Sequence, residues 1–251
     1  MGIVGVSFIT KNDGQFPYFD TLLGNPQWAG KKVLDFGGNI GNILHHPAST
    51  IEHDNYWCID VSRDAVEAGK TAAPDANFVF YDRYNFEYNP AGIRDLPIPD
   101  LRITFDYILA LSVFTHTTRT EMVQIIDTLL DRLNSVGRLA FSFMDPNYTP
   151  EGSYSCNLRH YFGQRACGRS DQQIDALVMK ATDARWCSLS NGELAIENEG
   201  LDRGFEVHDE GYLAFYTLAF LQTLFPYGEI VKPALPFPRQ HCCIISRDHG
   251  C

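Results

Sequence analysis

Residues 32–41 constrain the fold more than any other stretch. Lys32-Val33-Leu34-Asp35-Phe36 is a short apolar strand that breaks directly into Gly37-Gly38-Asn39-Ile40-Gly41. A strand that runs into such a turn calls for a tight reversal, because glycine alone takes left-handed backbone angles without steric cost. A short helix can follow through Leu44, so the first unit reads as strand, turn, helix.

The unit recurs along the chain. Tyr56-Trp57-Cys58-Ile59 reads as a second buried strand ending on Asp60, and Ser62 is placed to N-cap a helix that stops near Gly69. Asn77-Phe78-Val79-Phe80-Tyr81 makes a third strand ending on Asp82, followed by a Pro- and Asn-rich loop from Tyr84 to Asp100. Phe105 to Leu111 is nearly all apolar, as a strand covered on both faces must be. Thr118-x-x-Glu121 then forms a capping box, and Met122, Ile125, Ile126, Leu129, Leu130 and Leu133 carry helical spacing through to Gly137. Arg138 to Phe143 is a fifth strand. After Pro146 the rhythm breaks into a polar segment to Arg169, a helix opened by Ser170-x-x-Gln173, and an alternation across Trp186, Ser188, Asn191-Gly192, Leu194 and Ile196 that specifies a hairpin. A helix around Tyr212 to Leu224 precedes two further strands, Gly228 to Val231 and Cys242 to Ile245, which can pair as an antiparallel edge. The series specifies an α/β fold: a doubly wound, mostly parallel seven-stranded sheet with an antiparallel last strand, helices on both faces and a lid insertion.

Charge and cysteine usage exclude some functions. Twenty Lys and Arg against 31 Asp and Glu leave a net charge of −11, whose field repels phosphate backbones and anionic lipid, so neither a nucleic acid nor a membrane is expected as partner. No apolar run reaches the roughly 18 residues of a membrane span, and the N-terminus lacks the features of a signal peptide, so a soluble, cytoplasmic protein is expected. The seven cysteines are an odd number with no C-x-x-C pair and no zinc spacing, which reads as free thiols and no bound metal.

The order of elements and the residues at strand ends resemble the class I, Rossmann-like S-adenosylmethionine-dependent methyltransferases, over most of residues 30–145 and roughly the last 40 residues. The carrying motif is Val33-Leu34-Asp35-Phe36-Gly37-Gly38-Asn39-Ile40-Gly41. The resemblance implies S-adenosylmethionine as cofactor and S-adenosylhomocysteine as product. It places the acidic strand end Asp35 and the turn Gly37, Gly38, Asn39 and Gly41 against the methionine part of the cofactor. Asn39 departs from the family's glycine, yet Asn is the next most tolerant residue of left-handed angles. The nicotinamide fingerprint G-x-G-x-x-G fits worse, since Asn39 and Asn42 fall on its second and third glycines.

Asp60, 25 residues after Asp35 and next to Val61, stands where a carboxylate can accept from both ribose hydroxyls of an adenosine. It equally suits the dipole of the helix starting near Ser62. Asp82 stands where the family often holds the adenine amino group, with Arg83 or Tyr84 beside the ring; a solvated loop carboxylate is the other reading. The run Leu109-Ala110-Leu111-Ser112-Val113-Phe114-Thr115-His116 resembles the fourth-strand motif of small-molecule methyltransferases. Because ligands of open α/β sheets collect at the carboxyl ends of strands, Leu111, Ser112, Phe114 and His116 belong beside the same crevice. With no Ser/Gly-rich, Pro-rich or like-charge run dividing it, the chain reads as one domain, 1–251. It comprises an N-terminal cap segment (1–29), a cofactor-binding core (30–146), a lid or substrate insertion (147–208), and the last helix with two edge strands (209–251). The insertion and the N-terminal stretch with Phe8, Phe16, Tyr18 and Phe19 have no place in the sheet, so both are free to cover the site.

Methyl transfer from a sulfonium is an in-line displacement, so alignment in a dry pocket supplies much of the catalysis and a base is optional. His116 is the first candidate for that base; Asp145 and Tyr148, just past the fifth strand, can orient an amine or hydroxyl, or simply serve the turn. His160, Tyr161 and His208 lie in the insertion or at its border. The expected activity is methylation of O, N or C on a small molecule, a natural-product intermediate among the candidates. A peptide or protein acceptor, or a non-catalytic binding subunit that keeps the fold, stands as the alternative. Methylation of DNA bases is disfavoured, because Ser112-Val113-Phe114 stands where an Asp-Pro-Pro-Tyr type motif is expected.

Overall fold

The computed structural model describes residues 14–145, 169–190, 193–199, 204–207, 213–232 and 240–247. Tyr148, His160, Tyr161, His208, Phe8, the turn Asn191-Gly192 and the Pro-rich stretch 233–238 lie outside the described residues.

Seven strands form the main sheet: β1 (Val33–Phe36), β2 (Tyr56–Asp60), β3 (Asn77–Phe80), β4 (Phe105–Ala110), β5 (Leu133–Phe143), β10 (Glu229–Val231) and β11 (His241–Ser246). Their spatial order is β10-β11-β5-β4-β1-β2-β3. The five strands from β3 to β5 are parallel, and β11 runs antiparallel between β5 and β10. Strand side chains alternate faces, and the core divides accordingly. Leu34, Phe36, Ile108, Ala110, Leu139 and Phe141 face one way and pack with Met122, Ile126 and Leu129 of α3 (Arg119–Leu130) and with Phe220 and Leu221 of α5 (Leu218–Leu224). Val33, Cys58, Leu109, Ala140 and Ile244 face the other way, against Phe16 and Phe19 of α1 (Gln15–Leu22) and Val66 of α2 (Arg63–Ala72). Helices thus cover both faces, and the continuous apolar runs of β1 and β4 are explained by burial on two sides.

A second sheet follows α4 (Asp171–Asp183). Its strands β6 (Ala184–Ser190), β7 (Glu193–Glu199), β8 (Gly204–Val207) and β9 (Leu213–Tyr216) lie in the order β7-β6-β8-β9. β6 and β7 pair antiparallel across the expected hairpin. The sheet is joined to the carboxyl ends of β4 and β5. The Tyr216 N–H donates to the Met144 carbonyl at 2.8 Å, and the Ala214 N–H to that of Thr115 at 2.9 Å. Arg119 adds a backbone N–H to Glu206 at 3.1 Å and a guanidinium to Glu197 at 2.7 Å, with its Cζ 4.6 Å from the Trp186 ring centroid.

Three sequence expectations are corrected. No helix follows β1: residues 39–45 are consecutive turns, with one helical-type bond from the His45 N–H to the Gly41 carbonyl at 3.1 Å. The left-handed angles of Gly37, Asn39 and Gly41 (φ +76°, +55° and +86°) prevent a right-handed helix from starting there. Leu133 opens β5 instead of closing α3, because it pairs with Phe105, whose N–H donates to the Arg132 carbonyl at 2.8 Å. Leu213–Tyr216, expected as helix, is β9, and α5 starts only after Thr217, whose side chain accepts the Phe220 N–H. Pairing with β8 and with the carbonyls of Thr115 and Met144 overrides local propensity in that segment.

Thr118 caps α3 as the sequence indicated, with the reciprocal Glu121 bond present. Removing one member of such a box exposes an orphan backbone donor, so Thr118→Ala is expected to lose about 1 kcal/mol of stability in urea denaturation, with an unchanged m-value.

Candidate cofactor site

The site begins where β1 ends. The Gly37 N–H donates to the Ile59 carbonyl at 2.7 Å, tying the turn to β2. Gly37 has φ +76°, and a Cβ there would stand 2.4 Å from Cγ2 of Val113. A Cβ on Gly38 would stand 2.5 Å from the Asp35 carboxyl carbon and 2.9 Å from Cys58 Sγ. Both positions therefore exclude any side chain. Asn39 takes the left-handed angle that the third position needs, and its Oδ1 accepts its neighbour Ile40's N–H at 2.9 Å.

Asp60 locks this turn to the next helix. Its Oδ2 accepts the Asn39 N–H at 2.8 Å and its Oδ1 accepts the Ser62 N–H at 2.7 Å. Burial raises its pKa, while the backbone donors pull the other way. Each carboxylate oxygen has a second lone pair to offer, so two adjacent hydroxyls suit it as further donors. Both readings of Asp60, ribose acceptor and helix-start carboxylate, are therefore compatible with one geometry.

Beside Asp60 opens a cavity of about 400 Å³, lined by Val61, Ser62, Arg63, Phe80, Asp82 and Tyr88 among others. Arg63 lies over the Phe80 ring with its Cζ 3.9 Å from the centroid. Asp82 accepts from Asn89 Nδ2 at 3.1 Å. Burial, followed by the charges of Glu87 and Asp60, pushes the Tyr88 phenol up to about 12, so it is a neutral donor at physiological pH. Two aromatic walls and a carboxylate at the rim suit a flat heterocycle with an exocyclic amine, joined to a diol at Asp60.

The other residues singled out from sequence fall into two groups. Val61 and Asp82 line the cavity. Arg83 does not: its guanidinium bonds the Leu96 carbonyl at 2.8 Å and Glu121 at 3.0 Å, directed into the packing of the loop and α3. Asp35 lies beneath the glycine turn, 1% exposed, and accepts the Tyr56 hydroxyl at 2.6 Å. Leu111 belongs to the core. Ser112, with φ +56°, donates its N–H to Ser142 Oγ at 2.7 Å, and its hydroxyl accepts from Gln240 Nε2 at 2.8 Å. His116 stands 3.3 Å from Glu87 through Nδ1, and Asp145 is buried at the end of β5.

Sequence reasoning missed Tyr88, Glu87, Ser142 and Gln240. The first two sit in a loop whose composition marks it only as irregular. Gln240 closes on Ser112 and Ser142 from 128 and 98 residues away, a separation for which no local pattern exists. His241, next to it, is fully buried at the carboxyl end of β5, and burial pulls its imidazole down to about 4.

Burial raises the Asp35 carboxyl from 3.8 to about 7, with the Tyr56 bond opposing and the Asp60 charge adding to the rise. Between those two values the folded chain holds a proton that the unfolded chain has released. Stability from this group is therefore greatest below about pH 4, falls as pH rises, and is lost above about pH 7. Asp35→Asn removes the titration while keeping an acceptor for Tyr56. It is expected to flatten the decline in stability between pH 4 and 8 by on the order of a few kcal/mol relative to the parent, read from denaturation curves across that range.

A family model described as a methyltransferase domain matches residues 34–139. No curated protein matches the chain in sequence. Among solved structures, a protein of Pyrococcus horikoshii is similar with a TM-score of 0.52 at 15% identity, over 93% of this chain and 89% of the other. An amino pentose methyltransferase from Micromonospora echinaspora, bound to S-adenosylmethionine, gives 0.51 at 14% identity over 95% and 92%. The magnesium protoporphyrin IX methyltransferase of Synechocystis, bound to S-adenosylhomocysteine, gives 0.50 at 15% over 98% and 90%. Together with the strand order, the antiparallel β11 and the glycine turn, these findings identify the fold as that of the class I, Rossmann-like S-adenosylmethionine-dependent methyltransferases.

Proposed function

We propose that the protein binds S-adenosylmethionine at the β1–β2–β3 strand ends and transfers its methyl group to an O, N or C atom of a small molecule. The observation that carries this reading is Asp60: a carboxylate held by two backbone donors, adjoining in the chain Val61 and Ser62 that line a cavity with two aromatic residues, against a turn packed too closely for side chains at Gly37 and Gly38. The methyltransferase-domain match over residues 34–139 supports it. Two structures of the same fold carry names with low-mass acceptors, an amino pentose and a magnesium porphyrin, which favours a small molecule over a polymer. The net charge of −11 likewise disfavours a nucleic-acid acceptor.

When bound, the cofactor supplies an electrophilic methyl group on a sulfonium. Asp60 would hold the ribose hydroxyls, with Phe80, Tyr88 and Asp82 of the adjoining cavity toward the adenine. His116 takes the acceptor's proton where the acceptor is a hydroxyl or protonated amine. The second sheet, joined to the ends of β4 and β5, helps wall off water from the acceptor side.

Calorimetric titration with S-adenosylhomocysteine tests the reading. Micromolar binding is expected for the parent. Asp60→Ala is expected to weaken it by about 10- to 100-fold, the value of hydrogen bonds to a charged group. NAD should give no heat. Absence of S-adenosylhomocysteine binding, or binding of NAD in its place, overturns the proposal.

A further inference from the structure

The cavity beside Asp60 holds a cation that rests on one of its aromatic residues. β2 and β3 pair with Asp60 opposite Phe80, and the Tyr81 N–H donates to the Asp60 carbonyl at 2.8 Å, so the buried carboxylate and the ring are neighbours across one ladder. Just beyond Asp60, Ser62 caps α2, its Oγ accepting the Ala65 N–H at 3.3 Å, and Arg63 is the first residue of that helix. From there the Arg63 side chain lies over Phe80, with Cζ 3.9 Å from the ring centroid. Phe80 in turn packs against the core that holds Val66 and Phe78. Asp64 and Asp82 line the same cavity, yet among the described residues Arg63 makes no salt bridge. Asp82 is engaged by Asn89 Nδ2 at 3.1 Å. Arg63 is itself exposed, so its guanidinium is held by the ring without being enclosed by a further element.

We propose that Arg63 is a binding residue for the cofactor: its guanidinium, braced by Phe80, is the surface on which the adenine ring stacks. A guanidinium is planar, delocalised and more weakly hydrated than an ammonium, so it can carry an aromatic plane on each side at a modest desolvation cost. Adenine brings a π face that attracts the cation, and the attraction strengthens as the ring displaces water from the cavity. A long side chain loses rotamer freedom when a ligand holds it. Contact with Phe80 restricts Arg63 before the ligand arrives, which leaves less of that loss to be met on binding. Lysine cannot take the role, since its ammonium is a compact, strongly hydrated point charge. The inference rests on the methyltransferase reading of the site and adds to it a residue outside the glycine turn and the ribose carboxylate.

The test combines proton–nitrogen NMR of the nitrogen-15-labelled full chain, at mildly acidic pH where arginine side-chain signals are sharp, with calorimetric titration of S-adenosylhomocysteine. Parent, Arg63→Lys and Arg63→Met are compared, and the Arg63 Nε–H signal is assigned by its absence from both variants. In the parent that signal is expected to move upfield when S-adenosylhomocysteine binds, because a second ring then shields it from the side opposite Phe80. Affinity is expected to fall about 3- to 30-fold in both variants, the range of a cation–π contact from exposed to desolvated settings. The urea midpoint should stay where it is, as for an exposed side chain away from the core. A merely structural arginine would shift the midpoint and leave the signal unmoved by the ligand. A signal that returns downfield means that the guanidinium leaves Phe80 to admit the ring. That result, a signal indifferent to the ligand, or unchanged affinity in both variants overturns the role of Arg63 while binding persists. A parent that binds no S-adenosylhomocysteine removes the methyltransferase reading, and the role with it.

Discussion

The two hydrogen bonds that Asp60 accepts hold together everything the site needs. One fixes the third residue of the glycine turn, and the other fixes the start of α2. Through them a single carboxylate sets the distance between the ends of β1 and β2 and the entry of the helix that walls the cavity. Each bond to a charged acceptor is worth about 1.5–3 kcal/mol, which offsets part of the cost of keeping the group buried. The same carboxylate keeps lone pairs for further donors, as the proposed ribose contact requires.

The parts of the fold that follow from local pattern were legible in the sequence. β1, β2 and β4 announce themselves by apolar runs that only two-sided burial explains, and Thr118 with Glu121 marks the start of α3 by chemistry confined to one turn. What failed was decided by partners distant in sequence. Leu133 has helical spacing but is claimed by Phe105, and Leu213–Tyr216 has the composition of a helix but completes a ladder with β8. The same division runs through the site. Val61 and Asp82, named from the strand ends, line the cavity, whereas Glu87, Tyr88 and Gln240 come from loops whose positions only the folded chain fixes.

Arg83 and Asp35 illustrate a different failure. Both stand at the expected strand ends, yet their side chains turn inward, Arg83 to Glu121 and a carbonyl, Asp35 to a tyrosine hydroxyl under the turn. A strand end has two sides, and a charge there finds whichever partner desolvates it least. Sequence position names the neighbourhood, and hydrogen-bond capacity decides which side chain turns inward.

The clamp made by Gln240 has a consequence for how the molecule comes into being. Its side chain joins Ser112 to Ser142, and its carbonyl takes the Tyr18 hydroxyl at 3.1 Å, so one residue beside β11 ties together segments from the beginning and the middle of the chain. As a ribosome delivers the polypeptide, β1 to β5 can pair in parallel as soon as they emerge. β5 nevertheless remains a bare sheet edge, and Ser112 lacks its clamp, until this late strand arrives. The crevice beside β4 is thus finished last, after synthesis has passed beyond β11.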